Sequence, residues 1–257
     1  MKLSLCLATF NEEAFIHYSL DSAYDLVDQV IIVDGGSTDK TVQIARSFGK
    51  KVKIIHTDNP PMFHINKQKA IEAAEGEWIL QLDADEQLSD KLKEEIKSVI
   101  AAPKQAAYWL PRKNFFLTRF LEKGGQYPDY TIRLYKNGVA HFPCKRVHEQ
   151  VAVEEEVGYL ENPLLHYADS DFSRYLARWN RYTSMDANLL FKDRHRLSFV
   201  SYFFLKPPVM FFKMYIRHKG FMDGFPGFVF CLFSSIRFWA IYIKVYQLEN
   251  QREVKIK

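Results

Sequence analysis

Short apolar runs alternate with helical spacings along the first half of the chain. Leu3 to Thr9 is a mostly apolar run that reads as a buried strand, ended by Asn11-Glu12-Glu13. Val30 to Val33 is a second, followed by Asp34-Gly35-Gly36-Ser37. Ser37 or Thr38 is placed to cap a helix through Val42, Ile44 and Ala45, with Gly49 as its stop. Val52 to His56 predicts a third strand, and Ile65 to Ala74 a helix that ends before Gly76. Trp78 to Glu86, W-I-L-Q-L-D-A-D-E, is a fourth apolar strand that runs into two aspartates. Ser89 then caps a helix with Leu92, Ile96, Val99 and Ile100 on one side. Strands separated by helices of this length need crossover connections, which predicts an α/β fold with a mostly parallel central sheet.

In such sheets ligands bind beyond the carboxyl ends of the strands. Thr9, Asn11 and Glu12 fall there after the first strand, Asp34 after the second, Asp83 and Asp85 after the fourth. Residues two apart on a strand share a face, so extended backbone would aim both aspartates the same way and they would repel. Either a positive charge beside them or water that solvates both is needed. No G-x-G-x-x-G follows the first strand and no G-x-x-x-x-G-K-[ST] occurs, which removes the dinucleotide and P-loop solutions to phosphate binding. A diphosphate here instead calls for a divalent cation, and Asp-x-Asp offers hard oxygen ligands to Mg²⁺ or Mn²⁺. Arg133 alternates with Ile132 and Leu134 on a further strand and points into the site or into water. His166 is a metal ligand or a hydrogen-bonded core histidine. Trp109 and Tyr127 are sugar-stacking candidates, or core.

A-T-F-N-E-E, V-D-G-G-S-T-D-K-T, K-Q-K-A-I-E-A-A-E-G-E-W-I-L-Q-L-D-A-D-E and V-H-E, in that order, resemble the family 2 glycosyltransferases over roughly residues 1–150. D-A-D-E and V-H-E look most like the bacterial enzymes that build lipopolysaccharide inner core or related lipid-linked glycans. The resemblance implies a GT-A type nucleotide-sugar-binding domain and an inverting sugar transfer from a nucleotide-diphosphate donor to a glycan or lipid-linked acceptor. It puts Thr9, Asn11, Glu12, Asp34, Lys67 and Asp83 around the nucleotide; Arg133, on the separate reading that points it into the site, would bind diphosphate or acceptor. Asp85 would hold the metal, and His166 is a candidate further ligand only on the first of its two readings above. Glu149 takes the place of the catalytic base, although His148-Glu149-Gln150 stands where many members carry Glu-Asp. The rivals are a catalytically silent sugar-nucleotide-binding or scaffold protein, and a nucleotidyltransferase. The second of these is disfavoured by an acidic first loop.

The net charge of +4 hides a split: residues 1–170 carry −5 and residues 171–257 carry +9, with 21 of the 39 aromatics in the latter. The boundary separates a catalytic region, 1–170, from a helical region, 171–257. Tyr175, Trp179, Tyr182 and Met185 lie at helical spacing among Arg174, Arg178 and Arg181. Two apolar runs follow, one broken by Lys206-Pro207-Pro208 and one holding Arg237, so neither makes a clean span. Basic, aromatic-rich helices suit an in-plane position at the inner face of the cell membrane; a homo-oligomer that buries the same faces is the alternative. The aromatics sit in long apolar runs with few charges, which argues against nucleic acid. Three scattered cysteines and no basic leader before the first apolar run point to a cytoplasmic protein.

Overall fold

The computed structural model describes residues 2–60, 62–144 and 150–256, with backbone alone for 252–256. In chain order the first elements are β1 (Leu3–Thr9), α1 (Ile16–Ala23), β2 (Gln29–Asp34), α2 (Thr41–Ser47), β3 (Val52–His56) and α3 (His64–Glu72). Next come β4 (Trp78–Gln81), β5 (Glu86–Leu88), α4 (Asp90–Ala101), β6 (Ala107–Phe116), β7 (Arg119–Phe120) and β8 (Asp129–Lys136). Four short strands follow: β9 (Ala140–His141), β10 (Ala152–Val153), β11 (Val157–Tyr159) and β12 (Leu164–Asp169). The last helices are α5 (Phe172–Lys192), α6 (Lys206–Phe212) and α7 (Gly224–Ile256). Contacts divide the chain into two compact units, Met1–Lys113 with Asp129–Tyr167, and Asn114–Pro128 with Ala168–Lys257. Residues 114–128 cluster with the second of these units.

The main sheet has the order β3-β2-β1-β4-β8-β6-β12-β5. Its first four strands are parallel, with Leu5 opposite Val30 on one side and Leu80 on the other. β8 then pairs antiparallel with β4 and β6. Alternation splits the apolar residues of β1 between two cores. Leu3, Leu5 and Leu7 join Ile16 and Leu20 of α1 and Leu92 and Ile96 of α4. Cys6 joins Ala70 and Ile71 of α3 on the opposite face. Helices cover both faces, so these strands are apolar throughout rather than alternating.

Two local expectations change. α2 begins at Thr41, later than a Ser37 or Thr38 cap would start it: the Ser37 hydroxyl is committed to Asp34, and the Asp39 carboxylate accepts the Thr41 amide at 2.9 Å. β4 stops at Gln81, short of Glu86: the Glu86 amide donates to the Asp83 carbonyl at 3.0 Å, and the Glu86 carboxylate accepts the Asp83 amide at 2.9 Å. Extended geometry therefore ends before the aspartates. Ser89 does cap α4, accepting the Leu92 amide at 3.3 Å. Ser89→Ala is expected to cost about 1 kcal/mol, read as a lower urea midpoint at unchanged slope.

In the second unit α5 packs along α7, with Tyr175, Phe116, Leu121 and Val229 buried together and the Trp179 indole donating to the Phe233 carbonyl at 3.0 Å. The Lys206-Pro207-Pro208 stretch does not break its helix. A π turn, Ser201–Leu205, precedes it, and the Lys206 amide reaches back to the Ser201 carbonyl. That widened turn takes up the mismatch created by prolines that have no N–H to donate. The helical run continues through α6 and a second π turn, Lys213–Arg217. Among the described residues one helix is long and apolar enough to cross a membrane, Gly220–Gln251 with mean hydropathy 1.6.

Candidate active site

The ends of β1 and β2 are joined by polar groups. Asp34 is fully buried. One carboxylate oxygen accepts the Thr9 and Ser37 hydroxyls, at 3.3 and 2.5 Å. The other accepts the amides of Gly36 and Ser37 at 3.1 and 2.9 Å. Gly36 has φ +84°, a conformation that favours glycine. Asn11, itself at φ +54°, donates its amide to the Ser37 hydroxyl and accepts the Thr38 amide at 2.8 Å. The Glu12 amide donates to the Thr41 hydroxyl at 2.8 Å. The acidic and glycine-rich loops are thus knitted into one surface. Asp34 spends its carboxylate inside it, while Asn11 stays exposed.

Asp83 and Asp85 part company at the turn. Asp83 pairs with Lys67 of α3, and at 2.6 Å with Arg133 of β8. The positive charge beside it therefore comes from the chain, whereas the sequence reading assigned it to a metal. Burial by itself would raise the Asp83 carboxyl, but the charges of Arg133 and Lys67 outweigh it and hold the group well below the usual carboxylate range. Burial pulls the Lys67 ammonium down, with Asp83 opposing. Arg133 is 5% exposed, so it is no surface arginine. Tyr108 pairs with Leu134 and Trp109 with Ile132, which leaves Arg133 as the extra residue of a β-bulge. Bulges re-aim side chains. This one sends the guanidinium to Asp83, to Glu86 at 2.8 Å and to Gln81.

Sequence reasoning left Glu86 and Arg112 without roles. Glu86 is fully buried and joins Arg133 to Arg112 at 3.4 Å, and Arg112 reaches Asp129 at 2.7 Å. The signal was available in part: an acid that follows D-A-D directly and opens a buried strand needs a cation. Which cation it meets depends on pairings across the sheet.

Asp85 lies beside His166, carboxylate to imidazole Nε2 at 3.5 Å, with both side chains mostly buried. β5 and β12 pair antiparallel with His166 opposite Glu86, and the Tyr167 amide donates to the Asp85 carbonyl at 2.8 Å. Tyr18 stacks on Tyr167 with centroids 4.2 Å apart and braces the turn from α1. Among the described residues no group of three or more His, Cys, Asp or Glu is placed to hold a metal ion. Glu149 lies outside the described residues, as do the neighbouring residues of V-H-E.

A parallel half-sheet with polar loops at its carboxyl ends and an acidic turn after its fourth strand defines a GT-A type α/β fold. The crystal structure of S. aureus TarS 1-349 shares it, with TM-score 0.50 at 14% identity over 95% of this chain and 88% of that one. The glycosyl transferase family 2 model matches residues 4–148, so the chain belongs to that family and is a glycosyltransferase. Relatives extend beyond that span. An uncharacterized glycosyltransferase of Rickettsia felis is 30% identical over 92% of this chain and 87% of its own length. The lipopolysaccharide core biosynthesis glycosyltransferase LpsC of Rhizobium meliloti is 25% identical over 96% and 93%. Family membership sets aside the nucleotidyltransferase alternative.

Proposed function

We propose that this enzyme transfers a sugar, with inversion, from a nucleotide-diphosphate donor to a lipid-linked or lipopolysaccharide-core acceptor, and that it works at the inner face of the cell membrane. The observation that carries the donor side is the split of the D-A-D-E turn. Asp83 is neutralised by Lys67 and Arg133, while Asp85 is turned away to His166. Asp85 and His166 stand close enough to share one small cation, and Mg²⁺ or Mn²⁺ is commonly held by one or two protein ligands plus substrate phosphates. Such a cation, when bound, stabilises charge on the leaving diphosphate. The residues' own work is separate from it. Asp34 and Asn11 shape the loops against which Thr9 and Glu12 would meet the nucleotide, and Arg133 and Lys67 fix Asp83. Glu149 would accept the proton of the acceptor hydroxyl as that oxygen attacks the anomeric carbon. The relation to LpsC along nearly the whole chain supports an acceptor in lipopolysaccharide core.

Thermal shift against uridine and guanosine diphosphates and their sugars, with Mn²⁺ or with EDTA, tests the donor site. One nucleotide is expected to raise the melting temperature only with metal, and Asp85→Asn to remove the metal-dependent part. At ligand concentrations about 100-fold above Kd the expected stabilisation is about 2.7 kcal/mol. Equal shifts with metal and with EDTA would reject the cation site.

A further inference from the structure

The second unit carries an apolar surface that its own core does not use. From Phe199 to Arg217 the chain is helical apart from the widened π turns. One side, with Tyr202 and Met214, is buried, and Tyr202 packs on Ile241 and Val245 of α7. The other side repeats at helical spacing through Phe204, Pro208, Phe212 and Ile216, with Val209 beside them. Val209 is 66% exposed and Phe212 61%. The turn that follows adds Phe221, Met222 and Phe225, the last 72% exposed. Large apolar side chains exposed in this number over one short stretch point to an interaction site.

Its charge pattern selects the partner. From Arg194 to Leu248 the sequence has eight Lys and Arg and a single acid, Asp223. Asp223 is buried, accepting the amides of Glu122 and Lys123 at 3.1 and 2.8 Å, so no carboxylate faces out from this stretch. Lys213, Arg217 and Lys219 are exposed next to the apolar stripe. A two-fold dimer through this face would set the same basic groups against themselves, which is unfavourable. An anionic bilayer instead offers acyl chains to the aromatics and negative headgroups to the lysines and arginines. α7 is tied to its neighbour along one side: Arg237 pairs with Asp186 at 2.8 Å, and the Lys244 ammonium donates to Asn180, Thr183 and Ser184. These polar ties belong to a helix packed on protein, and they favour a surface position over a crossing.

We infer that residues 199–228 form a monotopic insertion element: a helix and turn that lie in the plane of an anionic lipid surface, with Phe204, Val209, Phe212 and Phe225 immersed and Lys213, Arg217 and Lys219 at the headgroups. This names the part of the chain that makes the membrane contact in the proposed function and rests on that reading for its location in the cell. It does not depend on the donor site.

Co-sedimentation of the full chain with vesicles of phosphatidylcholine alone, or with phosphatidylglycerol added, tests it. Binding is expected to the anionic vesicles and to fall with salt. Val209→Asp/Phe212→Asp should lower the partition coefficient about tenfold or more, since two immersed side chains are lost. Lys213→Glu/Arg217→Glu, which alters exposed groups alone, should reduce binding to the level of neutral vesicles. Circular dichroism and the nucleotide thermal shift should be unchanged in both, and gel filtration should give the wild-type elution volume. Wild-type protein that stays in the supernatant, variants that sediment like wild type, or variants that dissociate a wild-type oligomer would each overturn the inference. The last would identify a second copy as the occupant. Vesicle binding without any nucleotide shift would count against the donor-site reading alone.

Discussion

Replacing Arg133 by methionine is expected to lower the stability of the protein by about 3 kcal/mol, measured by urea unfolding with an unchanged slope. Two carboxylates explain the size. Asp83 and Glu86 both accept from the Arg133 guanidinium, and Glu86 is completely buried. Methionine fills much of the volume but leaves them facing one another with less compensation. Removing one partner of a buried ion pair costs about 3–5 kcal/mol because the remaining charge has no solvent. The lower end applies here, since Lys67 still reaches Asp83 and Arg112 still reaches Glu86. Adding Glu86→Gln to Arg133→Met should recover part of the loss. A surface arginine would move stability by no more than about 0.5 kcal/mol, so a small change would refute the buried network. The pH dependence has a definite sign. Asp83 titrates lower in the folded state than unfolded, so its contribution is complete above the ordinary carboxylate range, declines as pH falls below that range, and is gone once pH has fallen through the depressed folded value.

Glu149→Gln is expected to fold and melt like the wild type, to bind donor nucleotide unchanged, and to lose about 10²–10⁴-fold in turnover. Glutamine matches glutamate in shape but cannot take the acceptor proton. The discriminating measurement is kcat against KM for the donor: loss confined to kcat marks proton transfer, whereas a raised KM marks a binding group. Wild-type turnover in the variant would move the base to another residue. Between them the two substitutions would separate what holds the Asp83–Glu86 network together from the proposed proton transfer.

Much of this architecture was legible in the sequence because it follows from local pattern. The parallel strands announced themselves as apolar runs ended by polar loops, and Ser89 announced its helix. What stayed hidden depends on distant partners. Ser37 looked like a helix cap until Asp34, three residues earlier, took its hydroxyl. The strand through W-I-L-Q-L-D-A-D-E looked extended to its end because nothing local shows that Glu86 folds back onto the Asp83 amide. The cation beside Asp83 comes from residues 16 positions before it and 50 after it, a pairing fixed by sheet order and by a bulge in β8. Prolines in the second unit read as a break, and only a π turn, which has no sequence signature, absorbs them.

Lys67, Arg112 and Arg133 face Asp83, Glu86 and Asp129 in one connected set. Three cations and three anions balance one another within that set. A diphosphate laid beside it would find no spare positive charge among these six groups, which fits the proposal that the donor brings a cation as its own counter-ion. On that proposal the network works as an insulator: it fixes shape and dielectric, and it leaves the choice of nucleotide to the acidic and glycine-rich loops beside it.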